Sequence, residues 1–475
     1  MKQIGFFIVF LLFCFASFSQ QKEIGITCRS GFTFEISQQK NWGYAKPVVL
    51  SVLPNTPAEA TGLRVHDIIE SINGEPTEGK DYATIFSWLQ RSANERILIN
   101  ISNLKGRNKA IRLTPYCNLS NAITEKDLAE VYAFYSLEDA QSRSFTCPFK
   151  TKVSENVNLS NYKTFGFSKP DAKNRQLENI IQVSVRKCLE QKGLVYAAKK
   201  PDLLLESYYT YQKNPNYRST GSLKKLPVES RYNMNTKRME NLPIYYNPLI
   251  HTNQAAYFLK LNILLIDPNK RDTNRLIWEC EANELLQSDY PIEDYADFHI
   301  PLMLTQYPYL KSTDQVQFFY SRYRYNYTGI GYNMDNLKEI IRVDHATPAE
   351  EAGMLTGDVV EKINGIKFNN NAKSADSKYK QFILNTMPFR NEKTQFTNAE
   401  GFTKCMYWNP MDYVRVSDAI KKTEFSAVFS YLFYFEPYIN LSGSNIVSFN
   451  IVRGKQKLTI KVKPVIVEEE LFENR

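Results

Sequence analysis

The chain has 475 residues, of which 43% are hydrophobic and 23% are charged, and its formal net charge is +9. This hydrophobic content supports several packed domains and excludes a chain that is disordered throughout. The charge is modest for the length, and acidic residues are interspersed with the basic ones. The sequence therefore gives no indication of a nucleic-acid partner.

Residues 1–19 have the pattern of a secretory signal peptide. Lys2 precedes the apolar stretch 4–16, and Ser17 and Ser19 are the small residues expected before a cleavage site. The apolar stretch is short for a transmembrane helix. We therefore expect cleavage near Ser19 and an exported protein, either periplasmic or associated with the cell envelope, with at most peripheral membrane contact.

Two other roles for this segment stay open, and both would hold the protein at a membrane. A lipoprotein would be acylated at Cys14, although Phe13 is bulky for the position before a modified cysteine. An uncleaved segment would remain as an anchor.

Export also permits disulfides between the cysteines that follow Cys14. They are sparse and include no Cys-x-x-Cys motif, so mostly free, buried thiols are the simpler expectation. The histidines lie far apart in the sequence. We therefore expect no metal site and no cofactor.

One pattern occurs twice in the chain, at positions that differ by 291. Its residues are Thr56, Pro57, Gly62, Asp67, Asn73 and Gly74 in the first copy, and Thr347, Pro348, Gly353, Asp358, Asn364 and Gly365 in the second. The threonine suits a helix N-cap whose hydroxyl accepts an amide hydrogen bond, the proline suits the first helical position, and the first glycine suits the helix end. The apolar residues after the aspartate predict a buried strand, and Asn-Gly predicts a tight hairpin turn.

Both copies resemble the central stretch of a PDZ domain, a family of peptide-binding modules. The resemblance implies a preceding Gly-hydrophobic-Gly-Phe loop whose backbone amides hold the terminal carboxylate of a peptide, which then adds to the next strand. The residues that match this clamp are Gly329, Ile330, Gly331 and Tyr332 in the second copy and, more loosely, Gly31, Phe32, Thr33 and Phe34 in the first. In the predicted helix 82–91, Ile85 and Leu89 would line the first groove or belong to the core.

A structural alternative stays open for both grooves, which would then be vestigial or filled by the chain itself. It has most weight for the second copy. There the aromatic-rich stretch 369–445 is far longer than a PDZ domain needs and would cap, fill or enlarge the groove.

The stretch between the two copies resembles an uncharacterised domain of bacterial envelope lipoproteins. The marks of that family are a Tyr-Lys-Thr-Phe strand at 162–167, a helix from Asn174 to Gly193, a Pro-Asp-Leu strand at 201–205 and a Leu-Ile-Trp strand at 276–278. The pattern also predicts a helix at 121–135 opened by Thr124, and a hairpin of 258–266 with 275–281. The basic loop 213–238 is expected to be a solvated insertion, with contact to an anionic surface as the alternative.

These patterns predict a mixed α+β chain in which two PDZ-like, partly open β-barrels with short helices flank a central α/β domain. The expected boundaries are 1–19 for the signal peptide, 22–116 for the first PDZ-like domain, 118–310 for the central domain and 325–468 for the second PDZ-like domain, with its insertion at about 369–445.

The expected function is an exported scaffold that binds protein C-termini or extended peptides and has no catalysis of its own. Gly-x-Ser-x-Gly is absent, as are the Asp-Thr-Gly and Asp-Ser-Gly loops of aspartic proteases. The alternatives are a regulatory or substrate-presenting partner of a separate envelope protease, and a structural protein whose grooves are occupied internally. An unrecognised hydrolase is not excluded, and the sequence does not indicate an oligomeric state.

Overall fold

The structure is a computed structural model of the chain. It describes residues 26–90, 95–119, 121–127, 142–155, 157–218, 229–242, 244–245, 255–271, 275–311, 313, 316–333, 335–368, 384–392, 406, 412, 415–416, 418 and 445–474. The predicted signal peptide and most of the predicted insertion 369–445 lie outside these residues.

Residues 26–119 form the first unit, a twisted antiparallel sheet with one well-formed helix. Its elements are β1 (Ile26–Arg29), β2 (Phe32–Ile36), β3 (Pro47–Val52), α1 (Pro57–Ala60), β4 (Ile68–Ile72), β5 (Glu75–Pro76), α2 (Tyr82–Leu89), β6 (Ile97–Ser102), β7 (Lys109–Leu113) and β8 (Tyr116–Leu119). The strand order is β2-β3-β4-β6-β7, with β5 on β4, while β1 pairs, among the described strands, only with β8. Thus β2 is an edge strand.

The sequence predicts that a helix begins at Asn121, but the structure places a strand there, β9 (Ala122–Thr124). Helical backbone starts only at Glu125. The carboxylate of Asp127 accepts hydrogen bonds from the backbone N–H of Thr124 at 2.8 Å and from its hydroxyl at 2.7 Å. The predicted helix start at Asn121 is therefore wrong, because an edge strand elsewhere in the molecule pairs with 122–124 first. The rest of that predicted helix lies outside the described residues.

The central unit is a mixed sheet covered by two helices. Its elements are β10 (Ser142–Cys147), β11 (Lys150–Val153), β12 (Thr164–Phe167), α3 (Arg175–Lys192), β13 (Val195–Tyr196), β14 (Leu203–Lys213), β15 (Glu229–Asn233), β16 (Arg238–Leu242), β17 (Ile244–Tyr245), β18 (Tyr257–Ile266), β19 (Leu276–Leu286) and α4 (Ile292–Met303), with 3-10 turns at Leu159–Asn161, Ala172–Asn174 and Leu304–Gln306. The main sheet has the order β11-β19-β18-β14-β12-β13. The predicted long helix ends, as expected, at Gly193, which has φ 112°.

The basic loop is not simply a solvated insertion. Arg231 is fully buried and forms an ion pair with Glu284 at 2.8 Å, and Tyr295 donates a hydrogen bond to the same carboxylate at 2.9 Å. Tyr232 is also buried, and its ring stacks on Tyr320 at 4.3 Å. The expectation of solvation is wrong for these residues, because β15 packs Arg231 against Glu284 of β19 and Tyr232 against Tyr320. Residues 219–228 of the loop lie outside the described residues.

The first and central units share one hydrophobic core. Trp42, Val48, Ile68 and Leu104 of the first unit belong to the same buried cluster as the faces of α3, α4 and the central sheet. The Trp42 side chain is 1% exposed, and its ring N–H donates to the backbone carbonyl of His66 at 2.9 Å. This shared core fixes the first unit against the central one.

The last part of the chain returns to the central unit and also forms a second small sheet. Its elements are β20 (Val316–Tyr327), β21 (Ile330–Asn333), β22 (Ile340–Val343), α5 (Pro348–Glu351), β23 (Val359–Ile363), β24 (Ile366–Lys367), β25 (Val447–Arg453), β26 (Gln456–Val462) and β27 (Val465–Asn474), with a 3-10 turn at Met387–Phe389. The long strand β20 lies between β10 and β27. The second unit, residues 328–368 and 445–462, follows directly from β20.

The cysteines divide into two groups. Cys117 is disulfide-bonded, and the residue opposite it in the β1–β8 ladder is Cys28. Cys147, Cys188 and Cys280 are thiols outside any disulfide, in line with the expectation of mostly unbridged cysteines. Across the described ranges, no helix combines the length and hydropathy that a bilayer span needs.

Candidate functional site

The second unit repeats the local geometry of the first at matching positions. The ladder of β2 with β3 shifts register between Thr33 and Phe34, and the ladder of β21 with β22 shifts between Gly331 and Tyr332. At the hairpin, Asn73 and Asn364 both have φ 51°, and each side-chain oxygen accepts a backbone N–H at 2.8 Å. The repeated sequence pattern therefore corresponds to a repeated structure.

The repeated threonines have a different role from the one predicted. The Thr56 hydroxyl donates to the Leu53 carbonyl at 2.6 Å instead of accepting an amide hydrogen bond, and Thr347 does the same with Asp344 at 2.6 Å. Each helix does begin after its threonine, with proline in the first turn. The predicted capping bond is wrong because the hydroxyl closes the preceding turn.

Each clamp loop contains one position that only glycine can occupy. Gly31 has φ +83° and Gly329 has φ +88°, a region that L side chains rarely adopt. A Cβ at either glycine would lie 2.5 Å from the side chain of the repeated threonine, Thr56 or Thr347. The close approach of loop and threonine sets the position of the amides that precede the edge strand.

The first groove lies between the edge of β2 and helix α2. Among the described residues, β2 pairs only with β3, so its outer edge has no strand beside it. The Ser30 hydroxyl contacts the Leu89 carbonyl at 3.5 Å, which places the clamp loop at the C-terminal end of α2. Gly31 is buried, Phe32 is half-buried and Thr33 is exposed.

The wall of this groove is aromatic. The Phe34 ring stacks on Tyr82 at 4.7 Å, and Tyr82 stacks on Phe86 at 5.9 Å. Tyr82 and Phe86 are 52% and 44% exposed. Of the two helix residues predicted at this site, Ile85 is fully buried and Leu89 nearly so, and both belong to the hydrophobic core of the unit. The sequence analysis missed Tyr82 and Phe86, although their spacing of four places them on one helix face.

The second groove is occupied by the chain itself. Strand β9 pairs antiparallel with the edge of β21, with Thr124 opposite Gly331, Ile123 opposite Tyr332 and Ala122 opposite Asn333. All four predicted clamp residues there, from Gly329 to Tyr332, are buried. The occupant belongs to the segment that follows the first unit and not to the predicted insertion.

The carboxylate of Glu125 lies in the clamp loop of the second unit. It accepts hydrogen bonds from the backbone N–H of Thr328 at 3.1 Å and of Gly329 at 3.2 Å, and from the Thr328 hydroxyl. Glu125 is 4% exposed. Burial raises the pKa of this carboxyl to about 7, against the hydrogen bonds that lower it, and Asp344 raises it further.

The neighbours of Glu125 turn the chain away from the groove. Lys126 forms an ion pair with the buried carboxylate of Glu469 at 2.9 Å and reaches the carbonyl of Pro54 in the first unit at 3.4 Å. Glu125 thus stands where the extended backbone of β9 changes to helical backbone, and its side chain reaches the amides of Thr328 and Gly329.

Comparisons with known proteins agree with this geometry. Residues 48–102 match the family model described as "PDZ domain", and residues 149–309 match the one described as "Domain of unknown function (DUF4136)". The crystal structure of a PDZ domain protein from Parabacteroides distasonis is 43% identical, covers 95% of this chain and 100% of its own, and has a TM-score of 0.76.

Two further similarities are short. A protein of Thermotoga maritima named "Putative zinc metalloprotease" is 37% identical over 86 residues, which are 18% of this chain and 16% of that protein's length. The PDZ domain of a carboxy-terminal protease from Vibrio cholerae, solved with a peptide, is 9% identical, covers 20% of this chain and 98% of its own, and has a TM-score of 0.17. Within the described part of the chain, no three His, Cys, Asp or Glu side chains are grouped as metal ligands.

Proposed function

We propose that this chain, which belongs to the same family as the PDZ domain protein of Parabacteroides distasonis, is an exported scaffold that captures protein C-termini or extended peptides on the edge of β2. Capture would occur by β-strand addition, in which main-chain hydrogen bonds give affinity and side-chain pockets give specificity. The observation that carries the proposal is the edge of β2, which no other described strand covers, beside the exposed aromatic rings of α2.

The second unit supports a carboxylate clamp in the first. In the second unit, the N–H groups of Thr328 and Gly329 hold a carboxylate. The corresponding residues of the first unit are Ser30 and Gly31, and Gly31 makes the same close approach to its threonine. We infer that the N–H groups of Ser30 and Gly31 receive the terminal carboxylate of a bound peptide.

We infer that the second unit is also a PDZ domain, so that two of them flank the central domain. The matching register shifts, turns and glycine–threonine contacts support this inference. Its groove is self-occupied, as the structural alternative expected, whereas the first groove serves ligands.

Binding of matched peptides tests this proposal. A peptide with a hydrophobic C-terminal residue should bind the full chain in the micromolar range, about −8 kcal/mol at best. Amidation of its C-terminus should weaken binding, because the loop amides then face no charge. Equal affinities for the free acid and the amide in calorimetry would contradict a carboxylate clamp.

Export and the lack of catalysis belong to the same proposal. The mature protein should begin at or near Gln20 in N-terminal mass spectrometry, and an acylated Cys14 would contradict this processing. Purified protein should leave casein and peptide libraries intact. Hydrolysis that co-elutes with the protein and is lost on substitution of a single Ser or Asp would contradict a pure binding role.

A second candidate function is a regulatory or substrate-presenting partner of a separate envelope protease. The short similarity to the Thermotoga maritima protein favours it. If this is correct, a ligand recovered on the first groove should be a protease or its substrate, which co-purification from envelope extracts tests.

A further inference from the structure

We propose that the second groove is a binding site held closed by residues 122–125, and that extended peptides carrying a carboxylate open it by displacing them. We call residues 122–125 the latch. This inference rests on the proposal that the second unit is a PDZ domain. It adds a second ligand site and the chemistry of its ligand.

The pairing of the latch with the groove is short. Three residues of β9 face three of β21, whereas β20 and β27 pair over ten residues from Phe318 to Tyr327. Edge strands present free N–H and C=O groups that accept another chain. A competing strand that supplies the same main-chain bonds can therefore replace β9 without breaking the sheet of the second unit.

The latch defines the ligand that would replace it. Ile123 packs against the hydrophobic core of the second unit, and Thr124 lies opposite Gly331, which has no side chain. After these residues comes the carboxylate of Glu125 on the amides of Thr328 and Gly329. The matching ligand is extended, has an apolar residue in the Ile123 position and ends with a carboxylate.

Release of the latch would also change contacts of the first unit. Tyr116 of β8 lies against Arg342, whose guanidinium is 4.9 Å from the Tyr116 ring centre. Lys126 reaches the Pro54 carbonyl. The first contact joins the second unit to the first unit just before β9 in the chain, and the other joins Lys126, just after the latch, to the first unit. Displacement of β9 therefore loosens the connection between the two units.

The test measures peptide binding to the full chain by fluorescence anisotropy, with Phe86→Glu included to silence the first groove. The probes are labelled peptides: Asn-Ala-Ile-Thr with a free C-terminus, Asn-Ala-Ile-Thr-Glu with an amidated C-terminus, and amidated Asn-Ala-Ile-Thr-Gln, which has no carboxylate. Glu125→Ala should raise the affinity of a carboxylate-bearing probe at least tenfold, because apparent affinity scales with the fraction of open groove. The first two probes distinguish a terminal from a side-chain carboxylate. The third should bind the Glu125→Ala variant more weakly than the second, because it has no carboxylate for the amides of Thr328 and Gly329.

A locked variant keeps the test decisive if Glu125→Ala impairs folding. Ala122→Cys with Asn333→Cys joins two residues that face each other across the ladder. Oxidation should abolish probe binding, and reduction should restore it. Equal binding by the oxidised and reduced forms would overturn the proposal, and so would unchanged probe affinity in a folded Glu125→Ala variant. Neither result bears on ligand binding by the first groove, which is measured separately in the chain without Phe86→Glu.

Discussion

Strand β2 of the first unit has no neighbour on its outer edge among the described residues, whereas β9 covers the corresponding edge of β21 in the second unit. The clamp loops, register shifts and hairpin turns of the two units are alike. The difference lies in the connecting segment, which supplies a strand and Glu125 to one groove. The same local structure is therefore left open in one unit and paired with a connecting segment in the other, which is the difference on which the proposed ligand site rests.

The largest expected effect tests whether both loops depend on the same glycine contact. Gly31→Ala and Gly329→Ala should each destabilise their own unit by about 3 kcal/mol, from strain at positive φ and from overpacking against Thr56 or Thr347. Hydrogen exchange in β3 and β22 measures the two units separately.

Gly74→Ala is the matched control for these variants. Gly74 has φ +89°, but a Cβ at this position would meet no heavy atom within 4 Å, so only the backbone strain of about 1 kcal/mol remains. If Gly31→Ala costs no more than Gly74→Ala, the glycine–threonine contact does not shape the loop.

The second prediction concerns the effect of pH on docking of the latch, which is expected only in the second groove. The docked Glu125 has its pKa raised to about 7 from 4.5, so the protonated form favours docking. Docking is therefore strongest below about pH 4.5 and weakens as the pH rises to about 7, by roughly 3 kcal/mol at most. The other charged or titratable groups around it are Asp344, Tyr327 and the Lys126–Glu469 pair, with Tyr325 beside Glu469.

Protection of the Ile330–Asn333 amides, corrected for intrinsic exchange rates, should be higher at pH 5 than at pH 8. Glu125→Gln should flatten this dependence, while the amides of β3 serve as the internal reference. A latch that tightens towards pH 8 would show that the hydrogen bonds from Thr328 and Gly329 outweigh the burial of Glu125.

The smallest expected effect concerns the aromatic wall of the open groove. Phe86→Glu should weaken binding of a C-terminal peptide at least tenfold, about 1.4 kcal/mol, because it removes apolar surface and repels the ligand carboxylate. Ser87→Glu adds the same charge at an exposed position on a neighbouring face of α2. Equal losses in the two variants, measured by calorimetry, would place the ligand elsewhere.

The sequence predicted the scaffold better than it predicted the state of each groove. The PDZ resemblance of the first copy is confirmed by one family model, and a second model confirms that the middle is a domain of unknown function. A local pattern such as Asn73-Gly74 identifies a turn, because the conformation of a tight hairpin turn depends mainly on the two residues that form it. The domain boundaries and the clamp assignments stay predictions.

The strand that occupies the second groove could not be predicted from local sequence patterns. Thr124 gave a sound signal for a helix start, and in the structure its N–H and hydroxyl donate to the carboxylate of Asp127. The strand at 122–124 forms because β21, about 200 residues later in the chain, offers an uncovered edge. A strand of three residues is too short to show the alternation of apolar and polar residues by which strands are recognised, and its pairing partner is far away in the sequence. The burial of Arg231 likewise depends on Glu284, a residue of a distant strand.

Hydrogen exchange of the full chain with and without a free-acid C-terminal peptide tests the central claim most directly. New protection is expected at Phe32–Ile36, while Ile330–Asn333 starts protected and changes less at the same peptide concentration. Protection that develops first at Ile330–Asn333, with Phe32–Ile36 unchanged, would contradict an open first groove and a closed second one.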